Sequence, residues 1–400
     1  MSKVLIIGSG KVANVTVRQC CAHPDIFTEI CLAGRTKTKC DALKKEVVES
    51  GIKVITAAFD ATNAEKTLLT VKIFRPDLII NLAPPHLNLK IMELCLHARA
   101  SYLDTSYYYP KGSAKCGLSE QLKLGDKFEK AGLTAIIGCG FNPGVTGIFV
   151  EYARQKLMDR IRTVDVIDAN AGNNGHPYLM NSQIGKNVRE LSCPARFMEN
   201  GKWVTEEPLS RSISLTFPEV GKIRAFMMDH EVMERLPAIA ADSERLRYFS
   251  SYKKPFLDLV QTLGSVGMTS SEPITVSGLS ISPLAFLEEV LPRPEDLAAN
   301  TTGKTGVGCL ISGEEDGKSV AHMIYSAADH AKCYEQMKSS ANDFMAGIPA
   351  AIGATMILDG TFRAPGAFTV EAFDPVEFLR RTEEAGLSMK TVKAPRISEG

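Results

Sequence analysis

Several things are scarce in this 400-residue chain, and each scarcity excludes something. Net charge is absent: 46 basic side chains face 46 acidic ones, so no overall field draws the chain to nucleic acid or to an anionic membrane. The ten cysteines include no Cys-x-x-Cys and no zinc-ribbon spacing, and several fall within apolar strand patterns, as buried reduced thiols do. No His-rich run has metal-ligand spacing, so no metal is expected. There is no internal repeat, no low-complexity stretch, no leader-like N-terminus and no apolar run long enough to span a bilayer. These absences point to a soluble, cytoplasmic protein without nucleic-acid or membrane partners. The 44% of hydrophobic residues are enough for two or three packed domains.

The N-terminus supplies the strongest positive signal. An apolar strand, Lys3-Val4-Leu5-Ile6-Ile7, runs into Gly8-Ser9-Gly10-Lys11-Val12-Ala13 and then a helical pattern. In that context a G-x-G-x-x-G/A match reads as a dinucleotide-binding fingerprint. Gly8 permits the tight turn, Gly10 lets the backbone approach a pyrophosphate, and the helix start offers free N–H groups. The second strand ends in Gly34-Arg35-Thr36-Lys37, where an NAD-binding protein usually carries an acid for the ribose hydroxyls. Arg35 and Lys37, with Thr36, suit a 2′-phosphate, so NADP(H) is the expected cofactor.

Apolar runs at 3–7, 29–33, 53–57, 77–82, 101–103 and 133–138 alternate with helical patterns. The rhythm predicts an α/β fold: a doubly wound parallel sheet over residues 1–145. Beyond it, residues 146–341 carry hairpin signals at 211–217 with 223–228 and at 306–312 with 318–325. They predict a second α+β domain on a mixed or antiparallel sheet, for substrate and dimer contacts. The apolar helix at 342–358 and the C-terminal stretch to residue 400 are expected to return to the first domain.

Function in doubly wound sheets gathers at the carboxyl ends of strands. Asp60 there reads either as a ribose contact or as a helix cap. Ala83 and Pro84 fall where the strand order reverses, and Gly140 lies in a loop suited to a flat ligand. Asp104 and Tyr107 offer a carboxylate and a phenol to a cationic substrate, or a cap and a core ring. His176, in a polar glycine-rich loop, is a proton-carrier candidate or a surface residue. Arg189 is a carboxylate clamp or an intrahelical ion pair, and Asp168 ends its strand in the same polar region.

Seven segments taken together carry a resemblance. They are Tyr102-Leu103-Asp104-Thr105, the loop from Gly138 to Thr146, Asp168-Ala169-Asn170-Ala171-Gly172, Asn187-Val188-Arg189-Glu190, Val266-Gly267-Met268-Thr269, Gly303-Lys304-Thr305 and Gly347-Ile348-Pro349-Ala350. They resemble the saccharopine dehydrogenase superfamily, and within it the carboxynorspermidine/carboxyspermidine dehydrogenase branch, over nearly the whole chain. The loop departs from the family's Gly-Phe-Asp-Pro-Gly by carrying Asn142. The resemblance implies NADPH-dependent condensation of aspartate β-semialdehyde with a diamine, 1,3-diaminopropane or putrescine, through an imine. It implies Asp104, Tyr107 and His176 as candidates for proton transfer. Arg189, Asp168, Asn170 and Asn142 become substrate contacts, and a homodimer is expected. Two alternatives stand beside it. A saccharopine-type dehydrogenase would need a further cationic clamp such as Arg224 or Lys304, and a regulator would bind NADP without turnover.

Overall fold

The computed structural model describes residues 2–47, 51–111, 113, 115–180 and 184–400, without the side chains of 64–66, 184, 186, 189 and 295. The chain forms two compact units. The first comprises Met1–Tyr152 and Asp343–Met389, the second Ala153–Asn342 and Lys390–Gly400.

Among the described residues of the first unit, seven strands form one parallel sheet. In chain order, six of them are β1 (Ser2–Ile7), β2 (Phe27–Gly34), β3 (Lys53–Ala58), β4 (Leu78–Asn81), β5 (Ser101–Asp104) and β6 (Thr134–Ile137). Their order across the sheet is β3-β2-β1-β4-β5-β6, and the strand Gly366–Thr369 closes the β6 edge in parallel register. Val4, Leu5, Ile6, Ile79, Ile80, Leu103 and Ile136 are wholly buried, as expected of a sheet covered on both faces. The reversal of strand order between β1 and β4 sets the binding crevice of such folds at their carboxyl ends.

The helix Ala341–Leu358 corrects one expectation. Its 18 residues are long and apolar enough to cross a bilayer, yet 72% of that window is buried within the protein. A core helix of a large domain meets the same compositional test as a membrane span. Gly347 and Gly353 explain how close it packs: a Cβ on Gly347 would lie 2.6 Å from the Val15 Cβ, and one on Gly353 would meet the Cys139 sulfur.

The second unit is a mixed sheet. Arg160–Asn170 pairs in parallel with Arg245–Ser251 on one side and antiparallel with Lys304–Glu315 on the other. The expected hairpins are present as Ser212–Phe217 with Gly221–Met227 and Lys304–Glu315 with Lys318–Asp329. The last residues do not follow the helix into the first unit. Lys390–Lys393 adds to Lys318–Asp329, and Ser398–Glu399 adds to Ser212–Phe217. A buried ion pair anchors that second addition: Arg247 donates to both oxygens of Asp165 at 2.8 and 2.9 Å and reaches Glu399 at 3.0 Å.

Candidate active site

The glycine turn after β1 is a cradle. Gly8 has φ +127°, donates its N–H to the Ala33 carbonyl at 2.8 Å, and passes so near β4 that a Cβ would sit 2.7 Å from the Leu82 carbonyl oxygen. A Cβ on Gly10, by contrast, would meet nothing within 4 Å. Gly10 is the extended N-cap of the first helix, α1 (Lys11–Cys21), which has no side-chain cap and no acid in its first turn. Its amino end, with Ser9, Lys11 and Val12 around it, therefore offers N–H groups and a partial positive charge to an anion.

Cationic groups lie beside it. Arg35 is exposed at the end of β2. It helps hold the Asp60 carboxyl below its usual range, after the larger effect of Thr62, whose N–H and hydroxyl both donate to Asp60 Oδ1. Arg35 also acts on His86, just past Pro84, whose protonation is disfavoured first by burial and then by Lys111, Lys90 and Arg35. Arg35, Asp60 and the loop after β4 thus converge on one corner. Thr36 is the N-cap of the next helix, Lys37–Glu46, where Lys37 is paired with Asp41 at 2.9 Å. A concentration of cations against an open glycine turn fits a dinucleotide carrying an extra phosphate.

Asp104 plays a different part from the one expected. It is 1% exposed. Its Oδ2 accepts bonds from Tyr102 (2.6 Å), Gln121 (2.8 Å) and Asn88 (3.1 Å), while Oδ1 accepts the Gly138 N–H at 2.6 Å. Asn88 also bonds Asn81, whose Oδ1 receives the Ala83 N–H. The carboxylate therefore ties the segments that follow β4, β5 and β6 together from within, instead of presenting a face to substrate. Tyr107 is wholly buried against Gly138, where a Cβ would strike its ring. A proton carrier must reach the reacting group, and neither residue has that exposure.

The loop after β6 is shaped by close approach. A Cβ on Gly140 would lie 2.6 Å from the Thr105 carbonyl oxygen, and the Asn142–Pro143 peptide is cis. Asn142 Oδ1 accepts the Thr146 hydroxyl at 3.1 Å, while its Nδ2 is buried without a hydrogen-bond partner. An unmet buried donor is costly unless a ligand completes it. The asparagine thus supplies a donor that the family's aspartate could not. Cys139 is sequestered: its thiol contacts the Pro349 carbonyl at 3.2 Å and burial pushes its pKa well up, so it is no nucleophile.

In the second unit, the loop after Arg160–Asn170 is held by its own amides. Asn170 Oδ1 accepts the Gly172 N–H and Asn174 Oδ1 the His176 N–H, which leaves His176 exposed. Gly303 has φ +84°, and a Cβ there would press within 2.6 Å of the Ala171 carbonyl oxygen, which accounts for the Gly303-Lys304-Thr305 signal. Asp168 stands opposite Ser250 in the parallel pairing. Tyr248, two residues before Ser250, lies on that same sheet face, and Tyr252 follows just past the end of the strand. Both phenols bond Ser250 and both have pKa values driven well up, first by burial and then by Asp168 and Glu190. Tyr252 also bonds Glu190, and His230 stacks on Tyr248 at 4.1 Å. Glu190, Tyr248 and Tyr252 escape a motif search because three separate segments deliver them. The only sequence signal was Glu190 beside Arg189. The Arg189 side chain lies outside the described residues.

Among the described residues no group of three or more His, Cys, Asp or Glu is placed to hold a metal. A doubly wound parallel sheet with a glycine cradle under an uncapped helix defines a dinucleotide-binding protein. Comparison with known proteins narrows this. Residues 4–136 match the saccharopine dehydrogenase NADP binding domain, and residues 140–387 match the saccharopine dehydrogenase C-terminal domain. The chain belongs to the saccharopine dehydrogenase family, and its cofactor is NADP(H). It is 39% identical to the carboxyaminopropylagmatine dehydrogenase of Synechocystis sp., covering 97% of this chain and 96% of that one. The carboxynorspermidine synthase of Vibrio alginolyticus is 32% identical over 96% of this chain and 95% of its own. Among solved structures, the apo saccharopine dehydrogenase (L-Glu forming) of Saccharomyces cerevisiae superposes with a TM-score of 0.73. It is 18% identical, over 98% of this chain and 100% of that one, and it supports the fold.

Proposed function

We propose that this enzyme joins aspartate β-semialdehyde to an amine carrying a second cationic group and reduces the resulting imine to a secondary amine, in polyamine biosynthesis. The amine is a diamine, 1,3-diaminopropane or putrescine, or the guanidino amine agmatine that one relative's name contains. The observation that carries this reading is the set Asp168, Glu190, Tyr248 and Tyr252: carboxylates and phenol rings gathered around Ser250 suit a cation. Amine addition to the aldehyde gives a carbinolamine, loss of water gives the iminium, and two electrons with a proton complete the product. NADPH supplies that hydride when bound. The protein's task at that step is chiefly orientation, because an iminium is already electrophilic. The cradle of Gly8 and Gly10 takes the pyrophosphate, Arg35 the 2′-phosphate, and the Asn142 amide an acceptor on cofactor or substrate. His176, exposed in its loop, is our choice to move the proton for dehydration, and Arg189 to clamp the semialdehyde carboxylate.

The saccharopine-type alternative is weakened by its own candidate clamps. Lys304 is paired with Glu219 at 3.2 Å, and Arg224 bonds Ser212 while lying over the Phe226 ring. We further place the enzyme in the cytoplasm as a homodimer without nucleic-acid or membrane partners. All ten cysteines are free thiols, in keeping with a reducing compartment. The test is NADPH oxidation, followed by absorbance, with aspartate β-semialdehyde and each of the three amines. Lysine with 2-oxoglutarate, and glutamate with aminoadipate semialdehyde, serve as controls. Turnover with one of the three amines and not with lysine is the expected result. Turnover with lysine alone, or with none, overturns the reading.

A further inference from the structure

At the carboxyl end of α1, within the first unit, lies a cavity of about 210 Å³. Its position follows from the packing of α1 on the helix Ala341–Leu358. Val15 fills the space that Gly347 leaves, and the Thr16 hydroxyl donates to the Gly347 carbonyl at 3.2 Å. One turn further along, Gln19 and Ile352 line the cavity instead of touching. Gln19 is only 8% exposed, yet its side-chain amide makes no hydrogen bond among the described residues. A buried amide left unpaired is costly, and the partner it calls for has to come from the cavity. The His23 ring, half-buried on the same wall, likewise has no partner among the described residues.

Charge and size decide what fits. The helix Pro375–Glu384 contributes Arg380, Arg381 and Glu384 to the lining. Arg380 donates to both oxygens of Glu377, at 2.7 and 2.9 Å, and to Glu384. Arg381 donates to Glu377 at 2.7 Å, to Asp359 at 2.5 Å and to the Thr361 hydroxyl at 2.8 Å. Three acids thus balance two bases, so no positive field draws in a phosphate, a nucleotide or another simple anion. Each guanidinium still keeps two of its five N–H donors. Glu384 is 63% exposed and keeps one oxygen free to accept. A bare amine would face two guanidiniums. A molecule carrying both signs satisfies the whole set: its carboxylate takes the spare N–H donors, and its ammonium takes the Glu384 oxygen and the Gln19 carbonyl. Ile26, Ile352 and Ala385 leave an apolar surface for a short hydrocarbon side chain. The volume equals about seven waters at roughly 30 Å³ each, enough for one small metabolite and too little for a nucleotide.

We propose that this cavity is a second ligand site, which binds a small aliphatic amino acid through Gln19, His23 and the Arg380–Glu384 wall. It is separate from the cofactor cradle. Gly10 and Gln19 stand at opposite ends of α1, about 14 Å apart at a rise of 1.5 Å per residue. The test is isothermal titration calorimetry on the full-length chain with L-alanine, L-valine and L-leucine. The two half-molecules of leucine, 3-methylbutylamine and 4-methylpentanoate, are titrated beside them. Saturable binding of at least one amino acid, and of neither half-molecule, is the expected result. Gln19→Leu, close in volume but without the amide, and His23→Leu should each weaken that binding at least ~10-fold. Neither residue belongs to the cradle, so NADPH binding stays unchanged in both variants. Thermal melting reports their folding, and if Gln19→Leu melts early, the half-buried His23→Leu decides alone. No binding by any of the three amino acids overturns the site. So does binding that a folded variant leaves intact. A half-molecule that binds as tightly as leucine overturns the requirement for both charges, and the proposal with it.

Discussion

Arg35 and Asp104 show two ways in which one residue serves a cofactor site. Arg35 stands exposed at the end of β2, within electrostatic reach of Asp60 and His86, and acts through its own charge. Asp104 never meets solvent and acts through what it holds: four donors, Tyr102 on its own strand, Asn88 and Gln121 on the helices that follow β4 and β5, and the Gly138 N–H just past β6. A hydrogen bond to a charged group contributes about 1.5–3 kcal/mol, equivalent to roughly ten- to a hundredfold in binding. Arg35→Ala is therefore expected to raise the KM for NADPH by about that factor while leaving the KM for NADH nearly unchanged. Steady-state kinetics with both nucleotides checks this, and equal losses for the two would remove Arg35 from the 2′-phosphate.

At the level of elements, the helix His330–Met337 carries a built-in acid sensitivity. His330 is wholly buried at its start, and its Nδ1 accepts the Ala341 N–H at 3.3 Å. Burial pulls its pKa down to about 4, against a smaller opposing effect of Asp329 and a reinforcing one from Lys253. An unfolded histidine titrates near 6.5, so between roughly pH 6.5 and 4 the unfolded chain binds a proton that the folded one refuses. Stability contributed by neutral His330 is thus complete above pH 6.5 and is lost as pH falls. Its slope approaches about 1.4 kcal/mol per pH unit midway. Urea denaturation of the native chain and of His330→Gln across this range should show the slope in the first and a flatter profile in the second. Much of the element pattern was legible beforehand, because β1 to β6 are continuous apolar runs separated by helices. Short or polar strands whose stability comes from pairing are among those without a local signal. Gly366–Thr369 is four residues long, and Lys390–Lys393 reads Lys-Thr-Val-Lys, exposed throughout. The glycine turn and Arg35 were legible as chemistry, since local spacing creates them. Burial is not written in spacing, so Asp104 read as a catalytic candidate, while Tyr248 carries no local signal that marks it.

For the whole molecule, a ligand held by one unit should act on that unit's stability. NADPH at about 100 times its Kd adds about 2.7 kcal/mol to the state that binds it. Differential scanning calorimetry should show the transition of the first unit rising with nucleotide, while a transition that ignores NADPH belongs to the second. The two units are also interleaved along the chain, since the first is completed only by Asp343–Met389. That has a consequence for how the protein is made. The β6 edge waits for Gly366–Thr369, about 230 residues later, and at roughly 5–20 residues per second a ribosome takes about 10 to 50 s to deliver them. Through that interval the apolar faces that Ala341–Leu358 will cover, and the open edge of β6, stay exposed on the nascent chain. The nucleotide-binding half is thus synthesised first and finished last, and holdase chaperones have their longest opportunity at its unfinished edge.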